Sequence, residues 1–161
     1  MIKFSKHSGI YTLKATSTVN IPIKEAWNYF SNPSNLSKIT PSSMGFLTTS
    51  ELSNSMHAGQ IISYIVKPIL GIKTNWVTEI THVKAPNYFV DEQRFGPYAM
   101  WHHEHHFTEQ NGQTLMVDKI SFKIPFGFLG QLSFPFIVKP QLKKIFNYRQ
   151  SKLNELFNLN K

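Results

Sequence analysis

Residues 101–122 read WHHEHHFTEQNGQTLMVDKISF, and this stretch decides the architecture. Asn111-Gly112 is the strongest short signal for a two-residue hairpin turn, because the turn needs positive φ at both central positions and these residues tolerate it. With that turn, Gln110 faces Gln113, Phe107 faces Met116 and His105 faces Asp118. Further out, His103 faces Ile120 and Trp101 faces Phe122. Side chains alternate between the two faces of a strand. Trp101, Phe107, Met116, Ile120 and Phe122 mark one face as core, and His103, His105 and Asp118 fall on that same face. His102, Glu104 and His106 fall on the other, where the two histidines read as ordinary exposed residues.

Working upstream, Asp91 alternates with Phe89, Gln93 and Phe95 in a core-like register. The chain has only two aspartates, Asp91 and Asp118, and both are expected to point inward. Strand patterns also cover residues 46–49, 60–67, 71–83, 88–95, 99–109 and 114–124, with Ile72, Trp76 and Ile80 on one face of the third. Short turn-like links at 68–71, 85–87, 96–97 and 111–112 make these an antiparallel meander. Before them, residues 11–21 alternate, with Tyr11, Leu13, Ala15, Val19 and Ile21 on one side, until Pro22 stops the ladder. A short helix follows over 24–30, burying Ala26, Trp27 and Phe30, and Ser34 can cap a second that ends near Thr40-Pro41.

Downstream, Leu142, Ile145, Phe146, Arg149, Leu153, Leu156 and Phe157 form the stripe of a long helix, with Pro140 in its first turn. A sheet with one apolar face must cover it, and this helix is the available cover. The expectation is an α+β helix-grip fold. It has a curved antiparallel sheet of about seven strands wrapped on a C-terminal helix, two short helices after the first strand, and one domain spanning 1–161. A strongly curved sheet over one helix cannot pack solid everywhere, so a cavity is expected between them.

Composition narrows the function. Apolar residues make up 41% of the 161, and aromatic residues 14%, which suits a core that also lines a pocket. There is no cysteine, which excludes a disulfide scaffold, thiolate catalysis and cysteine-based zinc sites. The net charge is +8, but the lysines are dispersed and the only arginines are Arg94 and Arg149, so the charge reads as a solvated surface and no nucleic-acid partner is expected. No apolar signal core follows Met1 and no run is long enough to span a membrane, so a cytoplasmic protein is expected. Phosphate loops, nucleophile elbows and two-histidine helix motifs are absent.

Several local sequences resemble the START/polyketide-cyclase (SRPBCC) superfamily of helix-grip proteins. They are LSKITP at 36–41, FVDEQ at 89–93, GPY at 96–98, WHHEHHF at 101–107, Leu129-Gly130 and IFNYR at 145–149. That superfamily includes plant pathogenesis-related proteins, coenzyme Q-binding proteins and aromatic polyketide cyclases, and this chain is most similar to a bacterial ligand-binding branch. The resemblance implies binding of a hydrophobic or amphipathic small molecule, such as a lipid, quinone or polyketide, for carriage, sequestration or sensing, with no cofactor. The alternative it leaves open is a cyclase, aromatase or hydrolase-type enzyme.

The inward His/Asp group admits three readings: a satisfied structural network, a polar anchor for a ligand, or acid–base catalysis by His103, His105 and Asp118. His103 and His105 also have a spacing that suits a zinc pair with Asp91 or Asp118, although no metal is assigned. The expected ligand-binding wall comprises Trp76, Phe89, Asp91, Gln93, Trp101 and His103. It continues through His105, Phe107, Asp118, Ile120, Phe122 and Phe146. The segment 125–140 reads either as a packed lead-in to the helix or as an apolar gate that touches membranes transiently, helped by Lys139, Lys143 and Lys144.

Overall fold

A computed structural model describes the whole chain except residues 52, 54, 68–70 and 159–161. Eight antiparallel strands form one sheet in the order β1-β2-β8-β7-β6-β5-β4-β3. They are β1 (Ile2–His7), β2 (Ile10–Val19), β3 (Leu47–Thr48), β4 (Gln60–Val66), β5 (Thr74–Lys84), β6 (Tyr88–Phe95), β7 (Met100–Gln110) and β8 (Gln113–Lys123). Helix α1 (Ile23–Phe30) and 3-10 turns at Pro33–Ile39 and Ser42–Met44 lie between β2 and β3. After β8 comes α2 (Gly127–Ser133), a π-helical stretch (Phe134–Val138) and α3 (Lys139–Phe157).

Strand β1 is the eighth strand, beyond the expected seven. Only Ile2 and Phe4 turn inward on it, too short a pattern to stand out. Its link to β2, Ser8-Gly9, has φ of 49° and 79°, the same positive pair that Asn111 and Gly112 show at 52° and 78°. The β7–β8 register is the one read from the sequence, from Gln110 opposite Gln113 to Trp101 opposite Phe122. Strand β5 starts later than expected, and Ile72 lies before it, 63% exposed. The turn expected at 68–71 falls largely outside the described residues. Two register shifts between β5 and β6, at Val77/Thr78 and Ile80/His82, sharpen the local twist and curl the sheet. The first one leaves Phe95 outside the core-facing register of Phe89, and it is exposed.

Leu13, Ile120 and Phe122 pack beneath Leu142 and Phe146 of α3. Val19, Ala26, Phe107 and Met116 form a second cluster with Leu153. Ile62, Tyr64, Val66 and Ile80 on β4 and β5 form a third. Of the expected helical stripe, Leu156 is exposed, while Phe157 beside it packs against Tyr29 and Phe30.

Candidate functional site

A cavity of about 180 Å³ lies between the sheet and α3, among the three apolar clusters. An engineered apolar cavity of about 150 Å³ accepts benzene, so this one is of a size for a small ring system. Met44, Phe46, Ile62, Val66, Ile80 and Leu142 give it aliphatic and aromatic walls. Asn32, exposed yet part of the lining, marks an opening beside the turn after α1. Trp76, Tyr98 and Trp101 form an aromatic corner, with centroids 5.3 Å apart for Trp76–Trp101 and 4.7 Å for Tyr98–Trp101.

One part of the wall is polar. Strands β6, β7 and β8 bring Asp91, His103, His105 and Asp118 together because Asp91 pairs with His103 while His105 pairs with Asp118. His105 Nε2 lies 2.7 Å from Asp91 Oδ2 and its Nδ1 lies 3.1 Å from Asp118 Oδ1. Two carboxylates flanking one ring favour its protonated form. His103 Nε2 lies 3.0 Å from the same Asp118 oxygen, and its Nδ1 is a longer 3.5 Å from Asp91. Arg149, one α3 side chain on the cavity wall, brings its Nη1 to 3.7 Å from Asp118 and its guanidinium over Phe146 at 4.9 Å. The His103 and His105 rings are 3.7 Å apart, and His105 stacks on Phe89 at 4.1 Å.

Protonation follows from these contacts. Burial works against charge on His105, but its hydrogen bonds with Asp118 and Asp91 prevail and raise its pKa above the usual imidazole value. Burial, then the neighbouring His105, lowers that of His103. Burial would raise Asp118, yet its bonds with both histidines and the nearby Arg149 hold it well below the carboxylate range. Asp91 is lowered against its own burial by His103 and His105. Burial and the Asp91 charge raise the Tyr64 phenol.

Nine of the twelve expected wall residues do line the cavity: Trp76, Phe89, Asp91, Trp101, His103, His105, Asp118, Ile120 and Phe146. Three do not. Gln93 is bonded to the turn after β6: its Nε2 donates to the Tyr98 carbonyl at 2.7 Å and its Oε1 accepts from the Tyr98 amide at 3.2 Å. It fills the space beneath Gly96, where any Cβ would strike its carboxamide, and Tyr98 takes the place on the wall. Phe107 is spent on packing against Trp27 and Phe30, which seals the α1 end of the sheet. Phe122 is fully buried between Tyr11 and Trp101. On the outer face, His102 and His106 are not free-standing. His102 Nδ1 is 2.8 Å from Glu92, and His106 Nε2 is 2.9 Å from Glu104, which Lys119 also meets at 2.7 Å.

Asp91, His103 and His105 also present ligand atoms within 4.8 Å of one another, a donor set that zinc accepts. Asp91 and His105 already hold each other by a hydrogen bond, and a dication would have to displace it beside the Arg149 charge. Arg149 itself is the residue that sequence reasoning missed: its signal was an arginine on an otherwise apolar helical stripe.

No family model matches the chain, and no curated protein matches its sequence. Solved structures do match the fold. Protein Ms6760 from Mycobacterium smegmatis is 18% identical, with 96% of this chain and 97% of that one covered, at a TM-score of 0.63. A protein from Arthrobacter aurescens is 14% identical over 95% and 91% of the two chains, with a TM-score of 0.67. A START superfamily protein from Mycobacterium smegmatis is 10% identical over 90% and 98%, also at 0.67. The chain therefore has the START-like helix-grip fold, which is compatible with binding a small molecule.

Proposed function

We propose that the protein binds a hydrophobic or amphipathic small molecule in this cavity, for carriage, sequestration or sensing, as one domain of the cytoplasm. The observation that carries this reading is an apolar cavity with one local polar cluster, the usual division between walls that give affinity and groups that fix orientation. Acid–base catalysis by His103, His105 and Asp118 is the second reading, supported by two carboxylate-paired imidazoles in the wall. Binding is favoured because these groups serve one another as partners. Native mass spectrometry of the purified protein tests it: a small organic mass that leaves on denaturation is expected. A bare chain whose Trp76 and Trp101 emission also ignores added naphthalene would refute it. A bound molecule chemically altered only when His105 is present would instead favour the enzyme.

The same reading has residues 125–140 touch a membrane surface during exchange of the ligand. Phe126, Phe128, Leu129, Leu132, Phe136 and Ile137 are exposed there, the first at 84% and Phe136 at 81%. Large contiguous apolar exposure of this kind marks a contact surface. Between Asp118 and Glu155 the sequence has no acidic residue, while Lys123, Lys139, Lys143 and Lys144 fall in that interval; Lys119 and Lys152, also there, are paired with Glu104 and Glu155. Strand β1 lies against the same segment, with Lys6 bonded to Gln131 and Phe4 beside Phe134, and it is also free of acid. An apolar centre with a basic surround fits an anionic lipid surface. No helix among the described residues is long and apolar enough to cross a membrane.

A further inference from the structure

The strands are antiparallel, so their ends fall into two opposite rims, and register assigns each turn to one of them. His7 opposite Ile10, Tyr11 opposite Phe122 and Met100 opposite Lys123 put the β1–β2 turn, the end of β8 and the start of β7 at one rim. Val66 opposite Thr74 and Val77 opposite Phe95 add the β4–β5 link and the β6–β7 turn to it. Helix α2 leaves β8 at that same rim.

Exposed apolar side chains collect there from more than one element. Ile72, just before β5, and Phe95, at the end of β6, are each 63% exposed, and Met100 opens β7 at 37%. Ile72 and Phe95 stand two to three strand spacings from β8, about 10–14 Å across the sheet, so they are not part of the α2 surface. Single exposed apolar residues are ordinary; several elements presenting them at one end are not. At the opposite rim the turns hold Asn87, Asn111 and Gly112, and Glu109 meets the first residue of α1.

Charge follows the same division. In sequence, residues 6–11, 66–74, 95–100 and 122–144 contain no Asp or Glu. They contain Lys6, Lys67, Lys73, Lys123 and Lys139, with Lys143 and Lys144 one turn along α3. The first acids inward on β5 and β6 are Glu79 and Glu92, which face each other and share Arg94. Glu92 is three residues from Phe95, about 10 Å along the strand.

Resting on the membrane reading above, we infer that the protein docks end-on to an anionic lipid surface, with α2 entering on one side of the rim and Ile72 and Phe95 on the other. Contact through α2 alone would leave those two side chains in water. A lipid surface is the occupant that fits, because it is apolar beneath and anionic above over a width that spans the sheet. Trp76 is the third residue of β5 and Trp101 the second of β7, so the aromatic corner of the cavity stands just behind the docked rim.

The chain has no cysteine, so a single introduced thiol can carry an environment-sensitive fluorophore. Ile72→Cys, Phe95→Cys and Phe128→Cys report on the rim, and Asn87→Cys on the opposite end. With phosphatidylglycerol vesicles all three rim labels should shift to the blue and be quenched by nitroxide lipid, and the Asn87 label should do neither. Without labels, Ile72→Ser combined with Phe95→Ser should weaken vesicle binding about tenfold, the scale of two partly buried apolar side chains. A response at Phe128 alone, with the serine pair binding like the parent, would overturn end-on docking and leave the membrane reading intact. Shifts that need no lipid and grow with protein concentration would overturn it too, and make the rim a contact between copies. No response at any site, with no sedimentation of the unlabelled protein, would remove both.

Discussion

At the scale of single residues, the two inward histidines have opposite tasks. His105 has a folded pKa above its ordinary 6.5, so it contributes stability that is complete below that value and is lost as pH rises through the folded pKa. His103 is shifted down, so the unfolded chain takes a proton that the fold refuses, and stability declines as pH falls below 6.5. Asp91 and Asp118 add stability that is present above the ordinary 3.8 and lost as pH falls through their depressed values. We expect thermal stability, followed by circular dichroism between about pH 4 and pH 9, to peak near the ordinary imidazole value. His105→Gln should lower stability by about 3 kcal/mol, the cost of breaking a buried pair, and should flatten the alkaline decline; the acid one should soften as well, because the His105 charge helps to depress His103, Asp91 and Asp118. A variant with an unchanged alkaline limb would refute the His105 assignment. This cluster was legible in sequence because Asn111-Gly112 pins the register, and register alone sets which side chains share a face. Gln93, Phe107 and Phe122 share the face too, but alternation cannot tell a side chain that lines a cavity from one that fills the core around it. That distinction depends on what packs above each position, here the 96–98 turn, α1 and Tyr11.

At the scale of elements, the helical run after β8 was the least legible part. The long stripe of α3 is periodic, but the 3.6-residue period fails upstream, where the π-helical stretch Phe134–Val138 carries Pro135 and turns the phase of the side chains. Residues 127–140 are helical throughout, and α2 opens on two residues with positive φ, Phe126 at 66° and Gly127 at 54°. Glycine adopts this conformation freely, whereas phenylalanine pays about 1–2 kcal/mol for it. That cost has no return within the fold, since the Phe126 ring is in solvent. Phe126→Gly should therefore raise stability by about 1 kcal/mol in thermal unfolding, and at the same time weaken binding to vesicles. Unchanged vesicle binding would mean that the ring plays no part in the contact. A few residues on, Gly130 is held against the Pro125 carbonyl so closely that a Cβ has no room, which fixes how α2 leaves the sheet.

At the scale of the whole molecule, the charge has a direction. Acids such as Glu79, Glu92 and Glu104 are gathered on the outer sheet face around Arg94, His102 and Lys119, while the α2–α3 end carries lysines without them. We expect sedimentation with vesicles that contain phosphatidylglycerol, little or none with pure phosphatidylcholine, and release as salt shortens the Debye length below about 10 Å. Equal binding to both lipids would argue against the lysines, and salt-resistant self-association would make the patch a contact between copies. In one dimension Lys139, Lys143 and Lys144 already stand beside the apolar segment, but β1 and α2 are distant in sequence, and only the fold sets Lys6 beside Gln131. The strand order is also an order in time. A ribosome releases β1 and β2 first, yet Tyr11 of β2 must wait for Phe122 of β8, the last strand made, before that edge of the ladder has a partner. For most of its synthesis the nascent chain thus offers an unpaired edge to chaperones and to its neighbours, and the sheet can close only after nearly everything but the final helices has emerged.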